Sequence, residues 1–189
     1  MRPHLALLLC LALGACAYET PPPDTAVWPA GGFGNYTNAS PGWASVDLAS
    51  YVFANPRRIA GNAVMGARAV AALDYVAGAM SSVPGWDYEG PLTRMMMLRA
   101  RVAVRRVVGI APATRSQLVV DALTTAANRL DAGDRKGALA ALADPAFTLG
   151  PEATLHRLAH LPYVPIAATA TVHAELGLVP GTGAPWLMM

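Results

Sequence analysis

Lysine is almost missing from this chain. Of 14 basic residues only Lys136 is a lysine, and charged residues make up 14% of the 189. The formal net charge of +2 is too weak a field to hold nucleic acid, and none is expected as a partner. The arginines are spread over several segments, which fits GC-rich coding better than phosphate recognition. Cysteine is scarce too: Cys10 and Cys16 are the only two. From residue 17 onward there is no thiol for a disulfide, redox chemistry or metal ligation. No Gly-x-Ser-x-Gly, glycine-rich phosphate loop or His-Glu-x-x-His occurs. No catalytic residue can therefore be nominated, and no cofactor is expected. No segment past the first residues supplies the roughly 20 apolar residues, free of charge, that a bilayer span needs.

What the chain does have begins at its start. Met1-Arg2-Pro3-His4 is basic, Leu5 to Leu13 is apolar, and Leu13-Gly14-Ala15-Cys16 places small residues before a cysteine. Residues 1–15 have the layout of a secretory signal peptide. The last four positions resemble the lipobox of bacterial lipoproteins. The resemblance implies cleavage before Cys16, diacylation of its sulfur and usually a third chain on the freed amine. Two acyl chains anchor stably where one does so marginally, so the expected partner at Cys16 is the membrane. Ala17 stands where an Asp favours inner-membrane retention, so the resemblance implies the outer membrane. The alternative is an ordinary secretory signal with a chance cysteine.

Residues 16–44 read as a lipidated N-terminus and tether, 45–177 as a helical domain, and 178–189 as an irregular tail. Pro21-Pro22-Pro23, Pro29, Gly31-Gly32, Gly34 and Pro41-Gly42 break any periodicity in the tether. Tyr18, Trp28, Phe33, Tyr36 and Trp43 are interleaved with them. These aromatics either lie on the domain's own surface or form a strip for a partner or for headgroups. Trp28 and Trp43 are the candidates for partner binding.

From residue 45 the apolar spacing is helical, with no sustained period of two. A short helix is expected over 46–54. Asn55-Pro56 reads as the cap and first turn of a long helix. Its stripe is Ile59, Ala63, Gly66, Val70, Leu73 and Ala77, with Arg68 on the opposite face. Gly61, Gly66 and Gly78 each cost about 1 kcal/mol relative to Ala in a helix, which points to close helix approach as compensation. The helix over 92–108 has an apolar stripe of Leu92, Met96, Ala100, Ala103, Val107 and Ile110, with Met97 and Val104 at its edge. Arg94, Arg101 and Arg105 form a second stripe; Arg99 and Arg106 form a third. Thr114-Arg115-Ser116-Gln117 matches a capping box, opening a helix that buries Val119, Leu123, Ala126 and Leu130. Gly133 ends it, and Asp134 caps a short helix stopped by Pro145. Segments 151–160 and 166–176 are expected to form a final helical hairpin. The expected fold is all-α, a compact bundle of about five to seven antiparallel helices.

His156 and His160 sit one turn apart, a spacing that can hold a divalent metal. Folding the final hairpin at its midpoint would bring His173 across to them and Glu175 near Glu152. The alternative is a set of half-exposed surface histidines. Arg94, Arg101 and Arg105 have three readings: a solvated face, a docking face for an acidic partner or anionic headgroups, or pairing with Asp74. Asp74 lies beside the apolar stripe of its helix and would need a cation if buried. Met65, Met80 and Met95-Met96-Met97 could line an adaptable pocket or fill the core. The function expected is non-enzymatic binding or scaffolding with a protein of the cell envelope. The alternative is a small-ligand or metal-binding helical domain.

Overall fold

Four prolines sit in the first turns of helices, where a missing N–H costs nothing and a fixed φ helps. They open α1 (Pro41–Ala54), α3 (Pro91–Val108), α6 (Pro151–Ala159) and α7 (Pro165–Leu178). Between them lie α2 (Ala63–Ser82), α4 (Ser116–Asp131) and α5 (Arg135–Ala141). This computed structural model describes residues 24–35, 39–86 and 89–178, and over these the fold is all-α. The signal and lipobox residues 1–16, Tyr18, Tyr36 and the tail past Leu178 lie outside the described residues.

The core is built around α2, which packs against α1, α3, α4 and α6. By length and composition α2 could cross a membrane, but it is wrapped on nearly all faces by the other helices. A helix apolar all round suits that central place. Its two internal glycines are where neighbours come closest. A Cβ on Gly66 would collide with the Leu158 carbonyl of α6, and one on Gly78 with the Asp24 carbonyl. Phe53, Leu48, Leu73, Met80, Met97, Leu123, Leu142 and Leu158 are fully buried around this axis. Met80 and Met97 are thus core, while Met95 faces out.

Several starts and faces differ from the sequence expectation. Helix α1 begins at Pro41, inside the region read as tether. Asn55-Pro56 opens only a 3₁₀ turn, Pro56–Ile59. Gly61, at φ 83, then breaks the path, and Asn62 caps α2 by accepting from the Met65 N–H at 3.0 Å. Arg68, expected outside, is buried. On α3 the inner face is Thr93, Met97, Ala100, Arg101, Val104, Arg105 and Val108. The expected edge, Met97 and Val104, is the buried centre with Ala100; Met96, Ala103 and Val107 are half-buried, and Leu92 is exposed.

The C-terminal helices do not form a hairpin. Helix α6 packs on α2 and α5, whereas α7 packs on α1 and α3. The extended link Leu161–Val164 turns the chain away. Leu158 of α6 is held at Gly66, while α7 buries Ala167, Ala170 and Ala174.

Candidate functional site

Arg101 of α3 and Arg68 of α2 hold an N-terminal strap. Residues 24–35 lie along the seam of α2 and α4, antiparallel to α2 and parallel to α4. Asp24 is seated at the start of α4, where its side chain accepts from the Ser116 N–H. That carboxylate takes the role expected of Thr114, which makes no cap bond. Gln117 accepts from the Val27 N–H at 2.7 Å and donates to the Val27 carbonyl at 3.0 Å. Trp28 stacks on Phe33 at 4.2 Å and meets Tyr75 of α2 edge-on at 5.5 Å. Farther along, Arg68 donates to the Gly32 carbonyl at 3.2 Å, and to Asn128 and Asp131 of α4 at 2.9 and 2.6 Å. The tether reading therefore gives way, over 24–35, to a packed segment.

Beneath the strap is a buried ionic network. Arg105 donates to both Asp74 oxygens at 2.7 Å, a bidentate pair. It also donates to the carbonyls of Pro112 and Thr114 and to Ser116 Oγ. Arg101 donates to the Asp24 carbonyl at 3.0 Å and to Ser116 Oγ at 3.1 Å. Burial lowers the Arg101 pKa; Asp74 opposes this, Arg105 adds to it and Asp24 opposes it. Burial acts against the Arg105 charge too, but the Asp74 hydrogen bonds and charge outweigh it and raise the Arg105 pKa. Of the pairings expected for Asp74, Arg105 is the one realised.

The candidate partner-binding residues separate accordingly. Arg101 and Arg105 are buried and turned inward. Arg94 donates to the carbonyls of Glu89 and Trp86 at 3.0 and 2.9 Å, tying down the loop before α3. Trp28 is partly buried against the core. Trp43 remains 49% exposed on α1.

The histidines do not converge. His156 and His160 stack at 4.6 Å on the surface of α6. His173 sits on α7, which is packed elsewhere. Glu152 accepts from Arg135 at 2.5 Å, and Glu175 accepts from Ser50 at 2.5 Å. Among the described residues no three His, Cys, Asp or Glu side chains form a metal-ligand set. The cause is the absent hairpin: with α7 on α1 and α3, its histidine cannot fold back onto α6.

His173 instead joins a cluster that sequence reasoning missed. Glu89 is only 3% exposed, and its Oε1 has no hydrogen-bond partner among the described residues. Its carboxylate lies over Gly177 of α7, where a Cβ would come within 2.6 Å of Oε1. Burial pushes the Glu89 carboxyl above the usual range, against the Thr93 hydrogen bond and the charges of His173 and Arg94. Thr93 Oγ1 also lies 3.1 Å from His173 Nδ1. Thr93 thus stands between the buried Glu89 carboxyl and the exposed His173 imidazole. His173 in turn lines an open groove of about 430 Å³ with Ala54, Tyr163, Ala168, Val172 and Leu176. A mostly apolar groove with one imidazole in its wall has the makings of a ligand site. In sequence, Glu89 reads only as an acid before the Gly90-Pro91 helix start; the single related signal is Gly177, far along the chain. The chain matches no protein-family model, no curated protein and no solved structure.

Proposed function

We propose that this is an outer-membrane lipoprotein of the periplasm, acylated at Cys16, whose helical body has a binding or scaffolding role in the envelope. The observation that carries the reading is the seated strap. Asp24, eight positions past Cys16, is already seated in it, and the strap is fixed to three helices of the bundle. An anchor at Cys16 would then hold a rigid body close to the membrane, which suits a positioning role better than a body on a long free spacer. Two buried arginines, Arg101 and Arg68, are engaged in seating that strap. Metabolic labelling with a palmitate analogue tests the anchor: label is expected on the native chain and not on Cys16→Ser. Photo-crosslinking in cells from Trp43 and Tyr163, both exposed, tests the scaffold, and one dominant envelope protein is expected. Label on Cys16→Ser would sink the first half, and no reproducible adduct the second.

The groove beside His173 favours a second reading, a small apolar ligand bound between α1 and α7. A fluorescent fatty acid titrated into the protein would be expected to bind, and to bind more weakly after Val172→Asp. Unchanged affinity in that variant would remove the groove from consideration.

A further inference from the structure

The outer face of α3 repeats every three and four residues. Leu92, Met95, Arg99, Val102 and Arg106 fall on one line along the helix, covering about 21 Å at 1.5 Å per residue. All five are exposed; for the apolar three the fractions are 56%, 41% and 44%. The helix contains five arginines and no Asp or Glu. Arg94, Arg101 and Arg105 are engaged inside the molecule, whereas Arg99 and Arg106 make no ion pair among the described residues. The outward face thus presents apolar side chains alternating with unpaired cations.

Asp24 lies at α3, where Arg101 on the inner face of the helix donates to its carbonyl at 3.0 Å. The eight Cα-to-Cα steps from Cys16 to Asp24 reach at most about 28 Å fully extended. A body held that close by acyl chains must turn some face to the headgroups. We propose that this face is the α3 line, docked on an anionic lipid surface. Leu92, Met95 and Val102 enter the interface, and Arg99 and Arg106 lay their stems along it while their guanidinium groups reach phosphate. A second copy of the chain fits this face less well, because pairing two such lines sets arginines against arginines. The proposal rests on the acylated Cys16 reading.

The test places a photoreactive benzophenone residue at Met95 or Val102 of the full-length chain in cells. Tyr51 serves as reference; it is 43% exposed and lies on α1, which is not packed on α3. Irradiation is expected to give phospholipid adducts, read by mass, at 95 and 102 and not at 51. Arg99→Gln with Arg106→Gln should lower the yield about 25-fold, each arginine near an anionic surface being worth about fivefold. Arg99→Lys with Arg106→Lys should retain most of it. Protein adducts at 95 and 102 would overturn the proposal in favour of a helical partner. No adducts at all would overturn it in favour of a solvated face. Palmitate labelling of the same samples reads the anchor separately. Labelled protein without lipid adducts breaks only the docking, and unlabelled protein with lipid adducts breaks only the anchor.

Discussion

The side of the bundle that receives the strap and the side where α1 meets α7 are held by different chemistry. On the strap side Asp74, Arg105, Arg101, Ser116 and Arg68 are buried and interlocked. On the other side α7 buries mostly alanines, and the polar link is the Ser50 hydroxyl donating to Glu175. Apolar seams tolerate volume-conserving swaps at a cost below about 1.5 kcal/mol. A buried ion pair does not tolerate the loss of one partner, which leaves a charge without water or counterion. The difference teaches a division of labour: small apolar contacts supply bulk stability, and the charges specify where residues 24–35 go.

Asp74→Ala is the harshest way to break that comparison. It strands Arg105 in the interior and should cost about 3–5 kcal/mol in urea unfolding. Adding Arg105→Met should recover much of it, since an apolar replacement removes the stranded charge; a single-variant loss below about 1 kcal/mol would show the pair to be dispensable. Gly78→Ala comes next, at about 1–3 kcal/mol for overpacking. Because its Cβ would meet the Asp24 carbonyl, it should also speed proteolysis within 24–35. Gly66→Ala presses on Leu158 instead and should destabilise without exposing the strap. Equal strap cleavage in both variants would contradict a local effect.

A smaller effect distinguishes the α3–α7 contact. The folded Glu89 carboxyl has a raised pKa, so folding favours its protonated form. That contribution is fully present below the ordinary value of 4.5 and is lost as pH rises through the folded value. Glu89→Gln removes the titration. Parent and variant should diverge as pH rises from 4 to 7 in urea unfolding, with the variant gaining in relative stability. Parallel pH profiles would count against a strained carboxyl. Smallest of all, His156→Ala on the exposed face of α6 should stay within about 0.5 kcal/mol in thermal melts.

Local chemistry made much of the fold legible. Gly133 takes φ 73 after α4, and Asp134 accepts from the Gly137 N–H at 2.8 Å to open α5. Both were readable because a cap and its helix are adjacent in sequence. The strap was not, since prolines and glycines signal the absence of helix and say nothing about burial. The arginines of α3 were half legible. Asp74 marked a need for a cation, but Arg101 and Arg105 are told from Arg99 and Arg106 only by partners far away. Asp24 precedes Arg101 by 77 residues. The α6–α7 hairpin failed for the same kind of reason: a short link suggests antiparallel neighbours, and α7 found a better surface on α1 and α3. Glu89 was invisible because its surroundings come from α7.

The strap also sets an order in time. Residues 24–35 are made early, yet the atoms that hold them arrive much later. Gln117 and Ser116, which grip Val27 and Asp24, follow by 90 and 92 residues. Closing loops of that length is slow and entropically opposed. The beginning of the chain is therefore the first part synthesised and among the last to be fastened. An enzyme that acts on residues 24–35 before α4 is made meets them unseated; one that arrives after α4 has closed meets them tied down.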